Sequence, residues 1–444
     1  MSDFRSMFDD VSRIGATPAG GVDRQALTAE DGAARGWLTE RFKAAGMRTH
    51  VDEIGNLFGI YDWVPGAPVV LTGSHLDSQP AGGRFDGAYG VLASLEAAKR
   101  LQAARVTGDL EPRFNLAVAD WTNEEGARFQ PSVMGSSVYV GELSLEAALR
   151  AVDRDGVDVR SALRGIGAAG TAPLDLRPAG YVEIHVEQGD RLERAGIDVG
   201  LVTGNWATRK YDIRIDGRQS HTGPTPMRQR MDAMYAAALV ISGVRDIADG
   251  AEVDMHSSVT QVHGYPDSPN VVTSRVTAHV ELRAERAASL DPAEEAFRAL
   301  LTRAATRSNT EITVTRASRR DSEQYWPEGV RIAREVAQEL GFSARELKTI
   351  AGHDSIQLNH IVPTVMLFVP SVSGEAHNEF EDTATADMLN GVRLLAVVLR
   401  QLITNSALVE QPAMRLRGSE TVHKPLNCGF SCNAGRPTGS IASL

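Results

Sequence analysis

The sequence predicts an α/β protein: a mixed sheet with helices on both faces, interrupted by a smaller α+β domain of ferredoxin-like order. Three observations carry this. Short apolar runs at residues 57–63, 69–72, 114–119 and 182–186 alternate with helical periodicity at 29–45 and 88–101, the rhythm of strands joined by crossover helices. From about Thr208 the order becomes β-α-β-β-α-β over about 110 residues, the ferredoxin-like succession. After Asp321 the first style returns, so the middle region reads as an insertion.

Taken in order, Thr28 is the expected N-cap of the helix at 29–45. The β-like runs that follow are interrupted by polar residues at their ends, where open α/β sheets place their ligands. Within the insertion, strands are expected at 209–215, 257–263, 275–283 and 311–315, with helices at 230–248 and 292–307. A helix at 328–340, an apolar strand at 363–369 and a helix at 384–403 complete the outer domain. The expected domains are therefore 1–207 with 322–412, and 208–321. Residues 413–444, rich in Gly, Ser and Asn and without periodicity, read as a disordered tail or a segment foreign to the natural chain. No fixed-period repeat is visible.

Composition narrows the function. With 444 residues, 42% hydrophobic and 23% charged, the chain can bury a sizeable core in two or three domains and is not disordered as a whole. The charge sum, 46 − 57 = −11, comes from scattered acidic residues without a basic stripe, so no nucleic-acid partner is expected. The longest clean apolar run, residues 233–241, is too short to span a bilayer. The opening MSDFRSMFDDVSR carries charges where a signal peptide needs an apolar region. A soluble, cytoplasmic protein with no membrane partner is expected. Cys428 and Cys432 are the only cysteines, which excludes a disulfide scaffold or a cysteine-built zinc site in the body.

The chemistry concentrates in four clusters. In GSHLDSQPAGGRFDG an apolar strand runs into His75 and Asp77, and a glycine-rich loop leads to Asp86 at the mouth of a helix. These are suitable zinc-ligand types, although a capped loop with a surface histidine would look the same. WTNEEGARF sets Glu124 beside Glu125 at a strand end, so that one can bind metal while its neighbour acts as a base; an acidic surface turn is the alternative. HVEQG places His185 inside a strand, where a satisfied core histidine is the commoner case, and GEAHNEFED places His377 in a polar loop. Singly each is weak. Together, at the ends of successive strands, they point to one centre.

GSHLDSQPAGGRFDG, NEEGARF, HVEQG, SHTGPTPM, GHDS and HNEFE, in order across residues 5–408, resemble the N-carbamoyl-L-amino-acid hydrolase group of the dimetal zinc peptidase/amidase superfamily, with its β-ureidopropionases and allantoate amidohydrolases. The resemblance implies a zinc-peptidase-like catalytic domain and two divalent ions per subunit, zinc first, with manganese, cobalt or nickel also accepted by such ligands. Asp86 would bridge the ions, His75 and His185 would complete one site, and Glu125 and His377 the other. Asp77 would orient His75. Glu124 would be the general acid/base, and His221 would support the oxyanion. Asn270 and Arg283 would clamp the substrate carboxylate, with Gln188 and His353 also on the substrate side. The implied reaction releases the carbamoyl group of an N-carbamoyl-L-amino acid as CO2 and ammonia; a ureide such as allantoate, an N-acyl amino acid or a dipeptide is the alternative substrate. The sequence departs from the group's commoner pattern at Ser78–Gln79 and at residues 130–132, both close to the expected ions.

A homodimer is expected. The family uses the inserted domain for pairing, and the histidine matching His221 reaches the other chain's metals. The apolar stretch DAMYAAALVISGV and an edge strand expected at residues 211–215 suit self-pairing.

Overall fold

The computed structural model describes residues 2–405 and Leu408; the expected tail at 413–444, with both cysteines, lies outside them. The described chain forms two compact units, residues 2–204 with 324–408, and residues 205–323.

The first unit is built on an eight-stranded mixed sheet in the order Arg48–Val51, Leu57–Tyr61, Asn115–Asp120, Val69–Ser74, Pro178–Val186, Thr364–Val369, Val199–Asn205 and Ala344–Thr349. The four strands from Asn115–Asp120 to Thr364–Val369 run parallel, and the strands on either side of this block, Leu57–Tyr61 and Val199–Asn205, pair with it antiparallel. The parallel strands are buried throughout or nearly so, which is why they read as unbroken apolar runs rather than alternating ones. Alternate residues serve different layers: Val70 and Val118 join the core that includes Phe4, Leu92 and Leu399, whereas Leu71 and Ala117 pack with Phe58, Trp121 and Tyr181. The helix Ala29–Ala44 starts where expected, with the Thr28 hydroxyl accepting the Asp31 N–H, acids in its first turn and bases in its last.

Several elements go beyond the sequence reading. The helix Ser2–Ser12 was not expected, yet Phe4, Met7, Phe8 and Val11 bury at helical spacing. The strand Ala344–Thr349 is mostly exposed and polar, and so gives no apolar run. Short helices Met134–Tyr139, Leu145–Leu149 and Val159–Gly165 fill the stretch between two strands.

The second unit is a four-stranded antiparallel sheet in the order Glu311–Arg320, Ala207–Asp216, Arg275–Ala284, Met255–Tyr265. With helices Ala233–Asp249 and Leu290–Ser308 it has the expected β-α-β-β-α-β succession, packed around a core that includes Ile213, Val240, Val280 and Phe297. One expectation is overturned. Residues 211–215 lie in an inner strand, hydrogen-bonded on both sides, and the edges are Glu311–Arg320 and Met255–Tyr265. Alternation of Tyr211, Ile213 and Ile215 marks one buried face, a pattern that an edge and an inner strand share. Among the described residues no helix is long and apolar enough to cross a membrane.

Candidate metal centre

All four clusters of the first unit meet at the carboxyl ends of the parallel strands. His75 follows Val69–Ser74, Glu124 and Glu125 lie in the loop after Asn115–Asp120, His185 is the penultimate residue of Pro178–Val186, and His377 belongs to the loop after Thr364–Val369. Asp86 stands at the centre. Its Oδ1 is 3.5 Å from His75 Nε2 and 3.1 Å from His185 Nε2. Its Oδ2 is 3.2 Å from His377 Nε2, and that nitrogen is 3.6 Å from Glu125 Oε2. Two triads thus share one carboxylate: His75–Asp86–His185, wholly buried, and Asp86–Glu125–His377, open on the side of His377.

Local structure aims these groups. His75 Nδ1 bonds the main-chain carbonyl of Asp77 (2.9 Å) and His185 Nδ1 that of Val186 (2.9 Å). Each carbonyl accepts from Nδ1 and so sets the ring with Nε2 on the Asp86 side, as is common for metal-ligating histidines. Gly87 has φ +63°, and a Cβ there would sit 2.4 Å from the His75 ring, so only glycine lets Asp86 approach. The Asp77 carboxylate is 3.7 Å from His75 Nδ1 and instead accepts the amides of Glu124 (3.1 Å) and Glu125 (3.2 Å). The orienting contact expected from its carboxyl is made by its carbonyl, and the carboxyl pins the Glu–Glu loop. The two glutamates then diverge: Glu124 Oε2 lies 3.5 Å from His75 Nε2, whereas Glu125 Oε2 accepts Gln79 Nε2 (2.8 Å).

Burial dominates the electrostatics. It pushes the Glu124 carboxyl well above its usual range and Asp77 to about 7, in each case against the pull of His75. Burial also opposes charge on Asp86, but the imidazoles of His185, His377 and His75 outweigh it and hold that carboxyl well below its usual range. A largely buried cluster of carboxylates and imidazole nitrogens is the donor chemistry of zinc and other first-row divalent ions. Gln188 Nε2 donates to Asp86 Oδ2 (2.7 Å), while its Oε1 is buried without a partner among the described residues, an acceptor that a bound cation or substrate N–H would satisfy. The residues fit a pair of divalent ions.

His353 packs its ring 4.6 Å from that of His185 and is 2% exposed. In the second unit, the ladder of Ser220–His221 with Val271–Val272 brings His221 and Asn270 together, the Asn270 carbonyl accepting the Thr222 amide. The Gly223 N–H donates to His221 Nδ1 (3.0 Å). Arg283 Nε is 2.7 Å from Glu281 Oε1.

Glu381 was missed by the sequence reading. Nearly buried, its Oε1 accepts the amides of Phe85 (2.9 Å) and Asp86 (2.8 Å), and burial raises it to about 7. The signal was its place four residues after His377, inside a motif already noted. Glu183 and Asp354 form a second buried layer: Glu183 accepts Ser74 Oγ (2.9 Å) and Ser355 N (2.8 Å), and Asp354 accepts Ser136 Oγ.

Residues 71–401 match the family model of peptidase family M20/M25/M40. A Mycolicibacterium smegmatis protein whose name goes no further than hydrolase is 46% identical, over 91% of this chain and 93% of its own. An N-carbamoyl-L-amino-acid amidohydrolase of Rhizobium meliloti is 34% identical over 84% of this chain and 89% of its own. For an allantoate amidohydrolase of Bacillus subtilis the figures are 30%, 88% and 95%. Among solved structures, an amidase of the hydantoinase/carbamoylase family from Burkholderia vietnamiensis superposes with a TM-score of 0.87 at 36% identity, covering 91% of this chain and 97% of that one.

Proposed function

The chain belongs to peptidase family M20/M25/M40 and is an enzyme acting on amide C–N bonds, and we propose that it hydrolyses an N-carbamoyl-L-amino acid to the amino acid, CO2 and ammonia. The observation that carries this reading is the pair of triads joined through Asp86, together with the relatives' named activity. His75, Asp86 and His185 would hold one divalent ion, and Asp86, Glu125 and His377 a second. Bound there, the ions would acidify water and polarise the scissile carbonyl. Glu124 takes the proton of the attacking water and delivers it to the leaving nitrogen; its burial favours the protonated form that the second half of this task requires. His221, with Nδ1 occupied by the Gly223 amide, carries its ring proton on Nε2 and donates it to the developing oxyanion. Arg283, oriented by Glu281, with Asn270 receives the substrate carboxylate, and Gln188 and His353 complete the substrate side.

Residues 205–323 form the pairing domain of a homodimer in this reading. Met234, Tyr235 and Ile241 stand exposed on one helix, and the edge strand Met255–Tyr265 exposes Val262 and Tyr265. His221 serves the partner's centre. Co-expression of Glu124→Gln and His221→Ala chains tests this: random pairing should restore about a quarter of wild-type activity if His221 acts in trans, and none if it acts within its own chain.

A second reading, a ureide as substrate, draws on the allantoate amidohydrolase relatives. Purified protein reconstituted with zinc, manganese, cobalt or nickel and assayed on carbamoyl, formyl and acyl amino acids beside allantoate separates the two. The highest kcat/KM is expected on a carbamoyl L-amino acid; a preference for allantoate would replace the first reading with the second.

A further inference from the structure

We propose that residues 16–24 are a clamp that sets the spacing of the two triads, with Thr17, Gly21 and Arg24 as positioning residues; this rests on the metal-centre reading above. None of these residues is a ligand, and the segment lies before the stretch matched by the family model.

On one side the clamp holds the loop of His75. Arg24 is 1% exposed, and its Nε donates to the carbonyl of Leu76 (2.7 Å), the residue between His75 and Asp77. Its NH1 group donates to the carbonyls of Val11 (3.1 Å) and Ile14 (3.0 Å), so the loop is tied to the N-terminal helix and its exit. The main chains of Arg24 and Ser78 are linked by Ser78 N–H to Arg24 O (3.0 Å), and those of Val22 and Gly82 exchange hydrogen bonds of 3.0 and 2.8 Å. On the other side the clamp holds the loop of His377. The Thr17 hydroxyl donates to the carboxylate of Glu379, two residues beyond the ligand. At Gly21 the three segments come so close that a Cβ would sit 2.3 Å from Gly82 O and 2.9 Å from Glu379 Cα.

The buried guanidinium is engaged by three main-chain carbonyls, one of them that of Leu76 next to His75. A buried charge is costly unless its hydrogen bonds are met, and here they are met by loop geometry. Metal affinity depends on ligand positions to within a few tenths of an ångström, and of the Asp86–Glu125–His377 triad, Asp86 and His377 come from the two loops that 16–24 fastens to each other. The clamp therefore acts chiefly on that triad.

The test uses the full chain stripped of metal and titrated with zinc against a chelating dye, alongside a thermal melt of the metal-free protein. Wild type should take two equivalents. Thr17→Val should weaken one equivalent roughly tenfold or more, leave the other unchanged and leave the melt near wild type, and Thr17→Ser should restore it. Gly21→Ala should weaken the same equivalent. Two wild-type-like equivalents in both Thr17→Val and Gly21→Ala, with or without a lower melting temperature, would overturn the clamp alone. Wild-type protein that takes up no zinc, manganese, cobalt or nickel would overturn the metal-centre reading and the clamp with it.

Discussion

The two triads around Asp86 are built from the same kinds of ligand but in different surroundings. His75 and His185 are enclosed, each ring proton held by a main-chain carbonyl, with His353 packed behind. His377 is half exposed, sits at φ 58°, and meets Glu125, whose carboxylate accepts the side-chain amide of Gln79. The buried triad is fixed by backbone and packing. The open one is fixed by side chains and loops. Rigidity and access are divided between the two triads, and the open one faces solvent through His377.

The largest expected effect removes what the triads share. Asp86→Ala should lose both ions and all measurable turnover; metal content of the purified variant checks this, and a fully retained ion would show that the triads are independent. Glu124→Gln leaves every ligand in place. It should keep both ions while turnover falls on the order of 10²–10⁴-fold, and near-normal turnover would remove Glu124 from its role. A pair of changes then sets the triads against each other. His377→Ala should lose one ion and alter the stability of the metal-free protein by no more than about 0.5 kcal/mol, whereas His185→Ala, emptying a packed site, should cost more than about 1 kcal/mol in urea unfolding. Equal costs would erase the contrast between fixed and open. The smallest effect belongs to Gln79→Leu: roughly tenfold weaker binding of one ion, read by chelator competition, with the other ion and the melting temperature unchanged.

What could be read from the sequence follows from how local each signal is. The parallel strands were legible because burial on both faces makes them continuous apolar runs, and His75, Asp86, Glu125, His185 and His377 because each sits in a motif at the end of such a run. The second unit's order was legible from its changing periodicity. Its edge was not, since whether Ala207–Asp216 is flanked on one side or two depends on the partner Glu311–Arg320, about a hundred residues on. Glu381 escaped for the same reason: its meaning is two amides on a loop 295 and 296 residues earlier. Ser2–Ser12 differs again: its apolar spacing at Phe4, Met7, Phe8 and Val11 is present but interleaved with charges that equally suit an exposed segment. The exchange of roles within Asp77, carbonyl to His75 and carboxyl to the Glu124–Glu125 amides, is a matter of atoms that no residue pattern encodes.

The sharing of ligands between chain segments also fixes a timetable for synthesis. His75, Asp86 and His185 all leave the ribosome before the insertion's first residue, whereas His377 follows 377 − 185 = 192 residues after His185. At translation rates of roughly 5–20 residues per second, the buried triad's residues are available some ten seconds or more before the open triad can be completed. Through that interval the strand of His185 lacks its neighbour Thr364–Val369, and the nascent chain carries the whole His75–Asp86–His185 triad beside an incomplete Asp86–Glu125–His377 triad.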